Sequence, residues 1–220
     1  MFEAKEIIHQ SHNWVSLVFL AILIFLALAK VFYKDRLLHT ATLFVSNKYL
    51  FIYFNKEKND ILNLFQFSLF MVQILALSLL FYFANNLWQF SLRLNELNGY
   101  LLLVAGVGLY FCLRYLMGLF LAEIFNIKSK YNRIVYDKVS YFNNLILWIL
   151  PFLVFSAYAN IHKDFFVKIT FLVLTILLIL RYSLILANNK KLIINNLFYF
   201  ILYICALEIA PLAIILKLTI

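Results

Sequence analysis

The feature that most constrains this chain is a succession of apolar runs, each close to 20 residues long and separated by short polar stretches. A helix rises about 1.5 Å per residue, so a run of that length matches the roughly 30 Å of hydrocarbon in a bilayer. Such runs extend over Trp14 to Tyr33, Ile61 to Phe83, Tyr100 to Phe125, Val139 to Ala159, Phe165 to Ala187 and Ile193 to Leu216. They predict an all-α membrane fold, a bundle of six transmembrane helices, here spans one to six. With 65% apolar and 13% charged residues, against about half and a quarter in soluble domains, the chain is not built for water. Too few residues remain for a second domain, so residues 1–220 are read as a single polytopic membrane domain. Ala27-Leu28-Ala29 mimics a signal-peptide cleavage site, but Glu3 and Glu6 outweigh Lys5 and the apolar run is too long for a signal peptide. An uncleaved anchor is expected.

A formal charge of +9 would suggest nucleic acid in a soluble protein. Here the cations cluster in alternate loops. Lys34, Arg36, Lys48, Lys56 and Lys58 follow span one; Lys128, Lys130, Arg133 and Lys138 follow span three; Lys190 and Lys191 follow span five. The other side carries only Lys5, Arg93, Lys163, Lys168 and Lys217. Eleven against five puts both termini outside the cytoplasm by the positive-inside rule and leaves no call for a nucleic-acid partner. Trp14, Trp88 and Trp148 are placed near span ends or flanks, as interfacial aromatics tend to be. Cys112 and Cys205 both fall inside apolar runs, so neither a metal knuckle nor a disulfide framework is indicated.

The long linker after span one carries Leu37, Leu38, Ala41, Phe44, Val45 and Ile52 at roughly helical spacing. It predicts a cytoplasmic interfacial helix over 37–54, resting on the bilayer because it is amphipathic; a docking surface for a partner or anionic headgroups is the functional reading. Leu113-Arg114-Tyr115 and Leu180-Arg181-Tyr182 are each followed by a helix bearing Asn-Asn-Leu, at Asn143 and at Asn195. The match is consistent with three parallel helical hairpins, and chance is its rival in a chain this rich in Leu, Asn and Tyr.

An ionisable side chain near the bilayer centre costs about 2.5–3.5 kcal/mol on insertion scales and usually finds a partner inside the bundle. Arg114, roughly 16 Å of helix rise from the cytoplasmic end of span three, and Glu208, near the middle of span six, are the two candidates. An interhelical ion pair between them is the economical expectation, either fixing helix register or serving transport or catalysis. Arg181 and Lys30 sit near enough to span ends to snorkel to headgroups. Glu123 is nine residues after Arg114, on the opposite face. Cys205 and Pro211 each lie three residues from Glu208, so the three share a face, and Pro211 frees a backbone carbonyl near that carboxylate; Pro151 does likewise in span four. Glu6, His9 and His12, with His162 and Asp164 on the same side, form a loose cluster that reads as solvated rather than metal-binding. Hydrolase, phosphate-loop and diphosphate motifs are missing from the sequence, so no catalytic residue, metal or cofactor is assigned. Gly106 and Gly108 are read as close-packing points.

The stretches Tyr131-Asn132-Arg133-Ile134-Val135-Tyr136-Asp137-Lys138 and Tyr203-Ile204-Cys205-Ala206-Leu207-Glu208-Ile209-Ala210-Pro211-Leu212 resemble a bacterial family of polytopic inner-membrane proteins catalogued as a domain of unknown function. The resemblance implies a bacterial inner membrane and a helical bundle. It implies no activity, and no functional residues follow from it.

The expectation is a non-enzymatic inner-membrane protein that contacts the bilayer and other membrane proteins as a partner or assembly component of a cell-envelope complex. One alternative is a small transporter or proton-coupled channel using the Arg114 and Glu208 pair. Another is a membrane enzyme acting on a lipid or isoprenoid with Glu208 as acid or base. A water-filled cavity reaching Glu208 would favour transport, a lipid-sized lateral opening an enzyme, and a dry bundle with an exposed groove the partner.

Overall fold

The computed structural model describes residues 13–44, 64–88, 96–124, 128–159 and 163–188. Within them the chain forms α1 (Asn13–Phe32), α2 (Lys34–Ala41), α3 (Leu64–Trp88), α4 (Glu96–Ile124), α5 (Lys128–Tyr158) and α6 (Lys163–Asn188), with no strand among the described residues. All but α2 are long and apolar enough to cross a membrane. The sixth expected span, with Cys205, Glu208 and Pro211, lies outside the described residues.

Spans one to three and span five fall where the apolar runs put them, within a few residues. Span four does not. Its apolar stretch begins at Tyr131 rather than Val139, and α5 starts at Lys128. The reason is an amphipathic first two turns: Tyr131, Tyr136, Asp137 and Lys138 are buried while Arg133 is exposed, so the polar residues that look like a loop are one face of a helix.

Helix α3 is central. Two thirds of its most apolar window is buried, against 22% for α1, 11% for α6 and 6% for α4. One core gathers Trp14, Val18 and Ile22 of α1, Val72, Ala76 and Leu79 of α3, and Leu145, Ile149 and Leu153 of α5. Lipid tails are as apolar as leucine, so close packing and interhelical hydrogen bonds, at an average of about 0.6 kcal/mol each, must supply the cohesion. Side-chain hydroxyls reach backbone carbonyls of neighbouring helices: Ser68 Oγ donates to Phe25 at 2.6 Å, Tyr100 to Leu75 at 3.2 Å and Thr170 to Phe152 at 3.3 Å. Packing is most extensive between α5 and α6 and between α1 and α3. Helices α4 and α5, which the repeat would make a hairpin, touch far less.

The expected interfacial helix begins in α2, and its residues from 45 onward lie outside the described residues. Here α2 is held against the bundle. Arg36 and Thr40 are buried, and the Arg36 guanidinium lies 4.3 Å from the centre of the Phe65 ring. The following turn drives Leu43 among Tyr136, Tyr141 and Ile185, and the Trp148 indole donates to the Ala41 carbonyl at 3.0 Å. Trp148, though 51% exposed, thus ties α5 to α2. Trp14 is buried, edge-on to Tyr82 with ring centres 4.9 Å apart. Pro151 sits inside a continuous α5.

Candidate functional site

Three helix segments converge at one end of the bundle: the C-terminal half of α4, the N-terminal half of α5, and the C-terminal half of α6. Between them lies a cavity of about 100 Å³. Phe111, Arg114 and Tyr115 line it from α4, at the spacing that puts residues on one helix face. From α5 come Tyr131, Val135, Lys138 and Phe142, at steps of four, three and four along a single stripe, and from α6 comes Arg181.

Three cationic residues line the space. Lys138 is only 9% exposed. Arg181 turns onto α5, donating from Nη2 to the Lys138 carbonyl at 3.1 Å, with its guanidinium 4.6 Å from the centre of the Phe142 ring. Arg114 is half-buried on the α4 wall. Among the described residues the lining therefore holds three positive side chains and no carboxylate. The neighbouring Asp137, buried a quarter-turn away on α5, also acts on Tyr141, whose hydroxyl accepts a hydrogen bond from the Asn188 amide at 2.6 Å.

Helices α4 and α5 come together beside the cavity because residue 118 has no side chain. A Cβ added at Gly118 would collide with the Tyr131 hydroxyl, which donates to the Tyr115 carbonyl at 3.5 Å. This is the close approach expected of Gly106 and Gly108, at a different glycine. A Cβ at Gly106 would meet nothing within 4 Å among the described residues, and one at Gly108 only the Ile74 Cδ1 at an ordinary 3.8 Å.

Deeper in the bundle, Asn143 of α5 joins two glutamines of α3. Its Nδ2 donates to Gln66 Oε1 at 3.1 Å and its Oδ1 accepts from Gln73 Nε2. Next to it Asn144 and Ser140 are fully buried, and neither the Asn144 amide nor the Ser140 hydroxyl has a hydrogen-bond partner among the described residues.

Of the residues singled out from sequence, Arg114 and Arg181 meet at one cavity, which is notable because the weak repeat had already paired them. Arg181 faces inward and does not run out along lipid. Lys30 and Glu123 are exposed. Cys205, Glu208 and Pro211 lie outside the described residues, and so does any contact they make with Arg114. Lys138 and Arg36 were counted as loop charges, and both are buried. Gln66 and Gln73 were not singled out at all; their separation of seven, two turns along one face of an apolar run, was the available signal.

A family model described as a domain of unknown function (DUF4271) matches residues 15–219. Comparison with the curated proteins and with the solved structures gives no match.

Proposed function

The chain thus belongs to the DUF4271 family, and from that footing we propose that it is a non-enzymatic, multi-pass protein of the bacterial inner membrane, a membrane-embedded partner or assembly component of a cell-envelope complex. The observation that carries this reading is the outer face of α4. Leu102, Leu109, Leu113, Leu116 and Phe120 are each more than half exposed. Their steps of seven, four, three and four form the seam by which one helix seats against another. The charge bias of the loops supports both termini outside the cytoplasm and the 125–127 connection inside.

A photo-crosslinking residue at Leu109 or Leu116, in native membranes, tests the reading. A discrete protein adduct at both positions, weaker at Leu101 on the adjoining face, is expected. Adducts to lipid alone at every position would overturn it.

One observation favours a second reading, a small transporter or proton-coupled channel: Arg114 faces a cavity. In that reading Glu208 pairs with Arg114 within the bundle. Removing one member of a buried pair typically costs about 3–5 kcal/mol, so Arg114→Gln and Glu208→Gln should each lower thermal stability and the double change should recover part of the loss. A double variant no better than the sum of the singles would remove the pair.

A further inference from the structure

We propose that the seam where α2 and α3 meet α5 binds ordered water, held by the side chains of Ser140 and Asn144. The inference goes beyond the partner reading and does not depend on it, since it needs only the packing of these three helices.

Position on α5 sets the direction. At 100° per residue Ser140 and Asn144 share one stripe, with Asn143 on one side of it and Tyr141 and Trp148 on the other. Asn143 is bonded to Gln66 and Gln73 of α3. Trp148 donates to the Ala41 carbonyl at the end of α2, and Tyr141 packs with Leu43 in the turn that follows. The stripe between these contacts therefore faces the junction of α2 and α3.

Ser140 departs from the way other buried hydroxyls in these helices are satisfied. Thr40, Ser78 and Thr170 each donate to the carbonyl four residues earlier in their own helix, at 2.8, 2.7 and 2.9 Å. That bond is open to a hydroxyl in any helix and needs nothing from outside it. Ser140 is fully buried and does not make it; beside it, neither atom of the fully buried Asn144 amide has a hydrogen-bond partner among the described residues. Inside a membrane such groups must be matched within the protein, because lipid tails offer them nothing.

The chemistry of the three atoms selects the ligand. Asn144 Nδ2 only donates, Oδ1 only accepts, and Ser140 Oγ does both. A cation leaves the Nδ2 protons unmatched, and an anion leaves Oδ1 unmatched. Water accepts from the one and donates to the other. Size agrees, because two fully buried residues admit only a ligand that fits within the existing packing. Side chains four apart on a helix have Cβ atoms about 5–6 Å from each other, a gap that one water spans with two hydrogen bonds of about 2.8–3.0 Å. Such water extends the Gln66, Asn143 and Gln73 link into a polar layer reaching from α3 towards α2.

The full-length protein in detergent is exposed to brief X-ray pulses, which split bound water into hydroxyl radicals that oxidise side chains close by, and the modified residues are quantified by mass spectrometry. Three fully buried leucines are compared: Leu43, packed with Tyr141, and Leu79 and Leu153 in the apolar core. Leu43 should be modified severalfold faster than the other two. Asn144→Leu, which puts an apolar side chain of similar size in the seam, should bring Leu43 down to their rate, whereas Ser78→Ala, whose hydroxyl is matched within α3, should not. Should Asn144→Leu fail to fold, Ser140→Ala removes the other holder and should slow Leu43 in a folded protein. Equal rates at the three leucines in the wild type would overturn the site, whether the seam is dry or filled by a polar side chain from elsewhere in the chain. A fast Leu43 that persists in both Asn144→Leu and Ser140→Ala would overturn it too, because other groups would then hold the water. A higher Tm for Asn144→Leu than for the wild type, with Leu43 no slower, would show an unmatched amide and count against the proposal in the same way.

Discussion

Replacing Gly118 by alanine sets two effects of known sign against each other. In a helix interior, alanine is favoured over glycine by about 0.8–1.0 kcal/mol. At this position the new Cβ would collide with the Tyr131 hydroxyl and lie 2.8 Å from its ring Cζ, closer than real Cβ contacts come. Tyr131 is only 6% exposed and cannot swing freely away, so α4 must shift from α5 or the ring must leave its rotamer. Overpacking of that kind typically costs about 1–3 kcal/mol, and the net expectation is a loss of up to about 2 kcal/mol. Tyr131→Phe alone gives up a hydroxyl contact of 3.5 Å to the Tyr115 carbonyl, at the long limit for a hydrogen bond, and should cost about 0.6 kcal/mol. Combined with Gly118→Ala it removes the worst collision while keeping the helical gain, so the double variant should be more stable than the two losses added together, by about 1 kcal/mol. Unfolding in mixed micelles with increasing sodium dodecyl sulfate, followed by tryptophan fluorescence, gives all four stabilities. If Gly118→Ala alone is stabilising by the full helical propensity, α4 and α5 do not approach here and the cavity beside them is not formed as described.

Asn143→Ala should destabilise by about 2–4 kcal/mol in the same titration, through two lost interhelical hydrogen bonds and the loss of a partner for the buried Gln73 and half-buried Gln66 amides; Asn143→Leu with Gln73→Leu should restore part of it, and a neutral Asn143→Ala would refute the link. Arg36→Gln should lose about 2 kcal/mol, the contribution of a desolvated cation over an aromatic face, with Arg36→Lys between it and wild type; equal stability of all three would place Arg36 in water. Cysteines placed at Asn160 and Asn95 should react with an impermeant thiol reagent added outside intact cells while one at Asn189 should not, and the reverse labelling would invert the orientation.

The five described spans were legible because hydrocarbon imposes both length and composition on a helix, and that signal survives without any knowledge of neighbours. What eluded the sequence was polarity inside the protein. Lys138 and Arg36 look like loop charges because each stands beside other polar residues, and only packing shows that one faces a cavity and the other an aromatic ring. The start of α5 was missed for the same reason: averaging over Lys128 to Lys138 hides a buried face. Arg114 was legible as a deep charge, and so was its likeness to Arg181. That the two share one space follows from how α4 and α6 sit about α5, which no spacing along the chain encodes. Gly118 was equally silent, since its partner Tyr131 is on the next helix.

The link from Gln66 and Gln73 to Asn143 also sets a timetable for synthesis. Gln73 is made 70 residues before Asn143, an interval of about 4–14 s at translation rates of roughly 5–20 residues per second. Throughout that interval α3 must enter the bilayer with two amide side chains whose mate has not yet left the ribosome. The helix that ends up most enclosed is thus the one that arrives least ready to be alone, and the moment of greatest exposure to misassembly or to membrane chaperones falls before α5 emerges, not after the chain is complete.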